Sequence, residues 1–186
     1  MTEHIPAPQA ILFDWDNTLV DTWPTIHSAL ESTFIDMGVK PWSLAETKQN
    51  VHKSLRDSFP LIFGDKWEEA GQKYQTHFRS THIEKLTLID EANDTITFLT
   101  ETSLYLAIIS NKTGVSLRKE IDHIGWTNHF KYIIGALDAP EDKPALAPVT
   151  MALADYHGPL DKTIWLIGDT LTDMECAHNA GITGIL

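Results

Sequence analysis

The feature that most constrains this chain is an alternation of two rhythms. Short apolar runs at residues 10–13, 104–111, 131–136, 163–170 and 182–186 read as buried strands. From residue 91 onward, helical stretches separate them. These are 91–101, 114–126 with Leu117, Ile121 and Ile124 on one face, 147–158 closed by Gly158, and 172–181. Strand alternating with helix predicts an α/β chain with a Rossmann-like parallel sheet, helices on both faces and right-handed crossovers. In such sheets ligands bind just beyond the carboxyl ends of the strands.

A helical block interrupts the alternation after the first strand. Ile26, Leu30, Phe34 and Met37 recur at helical spacing from Pro24, and Gly38 breaks the run. The segments 43–59 and 65–83 read as two further helices, with Ser43 and Asp65 as N-caps. No buried strand is expected between 23 and 85. The simplest organisation is a core domain of residues 1–21 and 86–186 with an inserted helical cap domain at 22–85.

A chain of 186 residues can build one such core with a small insert. Its 26 acidic against 14 basic residues, a formal charge of −12, argue against a sequence-independent grip on nucleic acid or an anionic membrane. No apolar stretch approaches the roughly 20 residues of a membrane span. The opening MTEHIPAPQA has no basic segment followed by an apolar run, so no secretory signal is expected. One cysteine, Cys176, rules out an internal disulfide and fits a cytoplasmic setting, where a buried, unreactive thiol is the expectation. The nine histidines show no ligand spacing beside a carboxylate, so zinc is not expected.

Polar residues stand at the strand ends in a specific pattern. Asp14 and Asp16 follow the first strand; Ser110 and Asn111 close the second; Lys143 lies in EDKPALAP; Asp169 and Asp173 lie in GDTLTD. Each has a bland explanation as a turn, cap or loop residue. All of them at strand ends, in this order, are much harder to explain that way, because charge at the end of a buried strand is costly.

These motifs resemble those of the haloacid dehalogenase superfamily of phosphohydrolases. DWDNTLVDT resembles its DxDxT motif, IISN a strand ending in Ser or Thr, Lys143-Pro144 the lysine motif, and GDTLTD the GDxxxD motif. The resemblance runs from residue 10 to 186. The position of the inserted helices resembles the phosphoglycolate phosphatase-like and β-phosphoglucomutase-like branch. Members commonly continue for another strand and helix beyond the point where ITGIL ends. Asn17 stands where Gly is commoner, and Asn tolerates unusual backbone angles. Trp15 is bulkier than usual there and is expected to touch the cap.

The resemblance implies a Mg²⁺-dependent phosphatase of small phosphomonoesters such as phosphoglycolate, a sugar phosphate or a nucleotide. Asp14 would be the nucleophile and form an aspartyl-phosphate. Asp16 would protonate the leaving alcohol and then take a proton from water; dehalogenases of the superfamily lack this second acid. Ser110 and Lys143 would stabilise the transferring phosphoryl group, with Thr18 and Asn111 at the same substrate site. The metal would sit among Asp14, the main-chain carbonyl of Asp16, and Asp169. Asp173 would ligate it directly or through water, or orient Lys143.

Substrate choice is expected from the cap, where Lys53 and Arg56 are candidates for a second anionic group. An ordinary charged helix face is the simpler account of that pair. His52 and His82 read as surface or cap-packing residues, and Trp23 and Trp42 as cap core rather than pocket lining. A phosphotransferase or mutase, with an alcohol as acceptor, is the alternative within the family. A non-catalytic metabolite-binding module is the alternative outside it, and would be expected to have lost Asp14, Asp16 or Lys143. The sequence leaves monomer and homodimer both open.

Overall fold

A computed structural model describes residues 5–51 and 53–186. The chain divides into two compact units, residues 1–20 with 88–186, and residues 21–87.

The first unit holds a parallel sheet of five strands: β1 (Ala10–Phe13), β2 (Tyr105–Thr113), β3 (Tyr132–Ala136), β4 (Ile164–Ile167) and β5 (Thr183–Ile185). Their order is β3-β2-β1-β4-β5. Leu12 pairs with Ala107 on one side and Leu166 on the other, which seats β1 at the centre. The chain moves outward from β1 through β2 to β3, then returns to the opposite side of β1 for β4. The carboxyl ends of β1 and β4 therefore flank the switch point at which such sheets bind ligands.

The helices of this unit are α5 (Ala92–Thr100), α6 (Gly114–His123), α7 (Ala147–Ala152) and α8 (Leu171–Asn179). Alternation along β1 sends Leu12 into a buried cluster with Ala107, Ile109, Leu166, Val149 and Cys176. Phe13, one residue on, instead meets Phe130 edge-on with ring centroids 6.4 Å apart. Cys176 is fully buried, as read from the sequence, and burial pushes its thiol up to about 11.

The second unit is helical: α1 (Trp23–Asp36), α2 (Leu44–Asn50), α3 (Leu55–Phe63) and α4 (Trp67–Thr81). Ile26, Leu30 and Phe34 of α1 pack with Phe59, Ala70, Tyr74 and Phe78 to form its core. Trp42 tilts against Phe34 at 4.8 Å, and buried His82 stacks on Phe78 at 5.0 Å. His52 lies outside the described residues.

Four local expectations need correction. The segment 43–59 is two helices rather than one. Ser43 does cap α2 through a reciprocal capping box with Glu46, but Val51 turns extended. Ser54 then starts α3, its hydroxyl donating to Asp57 in the first turn at 3.0 Å. Asp65 caps nothing; it lies in a short 3₁₀ turn, Gly64–Lys66, ahead of α4. The helix read as 147–158 ends at Ala152, where tighter turns take over, with Ala154 N–H donating to Met151 O and Tyr156 N–H to Leu153 O. The strand read as 163–170 stops at Ile167.

Candidate active site

The loop after β1 is tight. Leu19 and Val20 N–H both donate to Trp15 O, and Asn17 N–H donates to Val20 O. Asn17 sits at the turn with φ of 60°, the left-handed region that Asn enters more readily than most residues. This loop holds Asp14 at the mouth of the central strand, 6% exposed, while Asp14 N–H donates to Ile167 O of β4 at 2.8 Å.

Lys143 reaches the same point from the loop between β3 and α7. Its Nζ donates to Asp14 Oδ1 at 2.7 Å and to Asp173 Oδ1 at 2.6 Å. The other oxygen of Asp173 accepts from Thr170 N–H at 3.0 Å and from the Thr170 hydroxyl at 2.7 Å. Asp173 thus caps α8 and seats the lysine at once. Gly168 makes this approach possible, since a Cβ there would lie 2.3 Å from Asp173 Cγ.

Asp169, exposed to solvent, completes the group. Asp14, Asp169 and Asp173 each offer an oxygen within 4.8 Å of the others, the one such set of candidate ligands among the described residues. Crowding shows in their ionisation. Burial raises Asp14, Lys143 pulls against it, and the Asp173 and Asp16 carboxylates add to the rise, leaving Asp14 at about 7. Lys143 by itself therefore does not offset the burial and the two neighbouring carboxylates. Asp169 is partly desolvated and faces Asp173, and stands at about 6. For Asp173, burial is outweighed by Lys143 and Thr170, which hold it below the usual carboxylate range. A set of hard oxygens with excess negative charge suits a divalent cation such as Mg²⁺. The fit is better for Asp14 and Asp169 than for Asp173, whose oxygens are both engaged.

The second strand contributes through an irregularity. The β2–β3 register shifts between Ile109 and Thr113, across Ser110, Asn111 and Lys112. Ser110 is buried, and its Oγ accepts from Lys112 N–H at 3.1 Å. Asn111 Nδ2 donates to Lys143 O at 3.0 Å, while its Oδ1 and the Thr18 hydroxyl are buried without a hydrogen-bond partner. Asp16 is ion-paired to Lys112 at 2.7 Å.

Two residues of this neighbourhood went unread in the sequence. Lys112 also meets Glu120 of α6 at 2.5 Å, and Glu120 is fully buried. Its signal is its position between Leu117 and Ile121 on the apolar stripe of α6, a place a solvated glutamate would not take. The Trp15 indole is fully buried, donates to Glu120 Oε2 at 2.6 Å and meets Trp126 edge-on at 6.1 Å. Lys53, exposed, and Arg56, half-buried, belong to the helical unit.

A profile of the haloacid dehalogenase-like hydrolases matches residues 11–186. The phosphoglycolate phosphatase of Aquifex aeolicus is 27% identical over 174 residues, spanning 93% of this chain and 81% of the relative. Among solved structures, a HAD-superfamily hydrolase from Ehrlichia chaffeensis is 30% identical with a TM-score of 0.66, over 97% of this chain and 88% of that one. A hydrolase of the haloacid dehalogenase-like family from Streptococcus pneumoniae is 28% identical with a TM-score of 0.83, over 95% and 83%. The chain belongs to the haloacid dehalogenase-like hydrolases, in their phosphoglycolate phosphatase-like branch.

Proposed function

We propose that this hydrolase cleaves a small phosphomonoester, with Mg²⁺ and an aspartyl-phosphate on Asp14. The observation that carries the reading is the shared lysine. Lys143 bridges Asp14 and Asp173 in a buried setting, beside Asp169, at the switch point of the sheet. A structural ion pair needs two partners. A third carboxylate crowding it costs stability unless the group serves a charged ligand.

An Asp14 oxygen attacks phosphorus, and the bond from phosphorus to the leaving oxygen breaks. Asp16 gives its proton to that oxygen, so the product leaves as an alcohol. Water then attacks the same phosphorus, Asp16 takes its proton, and phosphate departs with Asp14 restored. Lys143 and the Ser110 hydroxyl face the charge that builds on the phosphoryl oxygens, with Thr18 and Asn111 beside them. Asp173 serves as the seat of Lys143. Asp14, the Asp16 main-chain carbonyl and Asp169 would hold Mg²⁺, which when bound would supply the positive charge that lets a carboxylate meet a phosphate dianion.

The helical unit is proposed as a cap that selects the substrate, with Lys53 and Arg56 as candidates for a second anionic group such as a carboxylate. Phosphoglycolate is the first substrate to try, because the curated relative is a phosphoglycolate phosphatase. No described helix is long and apolar enough to cross a membrane, and a cytoplasmic setting is part of this reading. The test is phosphate release from a panel of small phosphomonoesters with and without Mg²⁺, with Asp14→Asn in parallel. Metal-dependent turnover that disappears in the variant supports the reading; turnover unchanged in Asp14→Asn contradicts it.

A further inference from the structure

A buried chain of polar contacts lies beside the proposed nucleophile, and the mechanism above does not use it. Trp15, between Asp14 and Asp16, donates its indole N–H to Glu120 Oε2 at 2.6 Å. The same oxygen lies 2.5 Å from Lys112 Nζ, and that ammonium lies 2.7 Å from Asp16 Oδ1. Glu120 is fully buried, Trp15 is fully buried, and the Lys112 side chain is 5% exposed. A carboxylate taken wholly out of water is costly unless it is paired and hydrogen-bonded. Here both conditions are met by residues that flank proposed catalytic ones: Trp15 in the β1 loop, and Lys112 two residues after Ser110.

We propose that Lys112, seated on Glu120, is a positioning residue that fixes the direction of the Asp16 carboxylate for proton transfer. The inference rests on the phosphatase reading. A lysine stem has many rotamers, and an ammonium on a loose stem would place Asp16 poorly. Glu120 removes that freedom, and the Trp15 N–H removes it from Glu120 in turn. The anchor is α6 and the object is Asp16, whose side chain remains 18% exposed, as a group that exchanges protons with substrate and water needs. The ion pair is made through Oδ1. Locking a reacting group through neighbours that never touch substrate is a recurrent requirement of precise sites.

A structural staple between loop, strand and helix would use the same contacts, so the test must separate the two. Positioning of a proton donor matters for an alkoxide leaving group and hardly at all for p-nitrophenolate, which leaves unprotonated. The measurement is kcat/KM for phosphoglycolate and for p-nitrophenyl phosphate, in wild type, Asp14→Asn, Lys112→Met and Lys112→Arg. Since a positioned general acid contributes about 10²–10⁴-fold, Lys112→Met is expected to lose about tenfold or more on phosphoglycolate while staying within about threefold on p-nitrophenyl phosphate. Lys112→Arg, which keeps the charge, should recover part of the loss.

The double variant Lys112→Met/Glu120→Gln, which leaves no unpaired glutamate in the core, should show the same selective loss if Lys112→Met folds poorly. Equal losses on both esters in the folded variants, or none on either, overturn the positioning role. A wild type inert on the whole panel of small phosphomonoesters, or an Asp14→Asn variant that turns over both esters, overturns the phosphatase reading and the role of Lys112 with it.

Discussion

Lys143 Nζ lies 2.7 Å from Asp14 Oδ1 across 129 residues of chain, and the two meet with almost no access to water. Lys143 is therefore the counter-charge on which both the fold at this point and the proposed chemistry depend. Lys143→Met leaves Asp14 and Asp173 uncompensated. Breaking a buried pair in this way costs about 3–5 kcal/mol, which urea unfolding would register as a lower midpoint. In protein that remains folded, turnover is expected to fall by about 10²–10³, the usual loss of one group that stabilises developing charge. Unfolding and turnover that both match wild type would remove Lys143 from the account.

Gly168→Ala probes the seat of that lysine. The added Cβ would meet Asp173 Cγ at 2.3 Å, so Asp173 must move and Lys143 with it. The expected cost is about 1–3 kcal/mol, as for other overpacked sites, accompanied by lost turnover. Alanine at Gly38, where nothing lies within 4 Å but φ is +67°, is a control. It should strain the backbone without touching activity.

Cation binding should appear as stability. A ligand that binds only the folded state at about 100 times its dissociation constant adds about 2.7 kcal/mol. Mg²⁺ is therefore expected to raise the unfolding midpoint over that in EDTA. Asp169→Asn should shrink the increment while leaving the buried Lys143 pairs intact. An increment unchanged in Asp169→Asn would place the cation elsewhere.

These predictions rest on residues of unequal legibility. Asp14, Ser110 and Asp169 could be read because each follows an apolar run that must be a strand, and strand ends in a parallel sheet converge; Lys143, out in the loop after β3, was legible only through its Lys-Pro setting in the resemblance. Asn17 could be read because its type matches the backbone angle the loop requires. The break between α2 and α3 could not, since apolar spacing runs on through residues 51–54 and only the Ser54–Asp57 contact marks a new start. Glu120 was hidden in a charged stretch, RKEID, where one acidic residue looks like another until the helix is seen to turn it inward. Lys112 and Trp15 were hidden by their neighbours, each one residue from a motif position. Their roles come from tertiary contacts with Glu120, which no local spacing encodes.

Away from the site, Asp138 offers a pH test. Burial opposes its charge, but Arg118, at 2.6 Å, and the Gly135 N–H outweigh it and hold the carboxyl below its ordinary 3.8. A carboxyl lowered on folding contributes stability above the unfolded value and loses it as pH falls through the folded one. Arg118 is largely solvent-exposed, so the contribution is limited to about 1 kcal/mol or less. Urea midpoints of wild type and Asp138→Asn should therefore differ at pH 6 and converge as the pH drops below about 3.8. A difference that grows on acidification would contradict the assignment.

In the proposed reaction Asp14 carries the phosphoryl group. The direct measurement is a rapid acid quench of the enzyme during turnover of a ³²P-labelled phosphomonoester with Mg²⁺, followed by proteolysis and mass analysis of the labelled peptide. A hydroxylamine-labile label is expected on the peptide containing Asp14 and is absent in Asp14→Asn. Label on Ser110 or on a histidine, or brisk turnover with no labelled protein at any quench time, would contradict it.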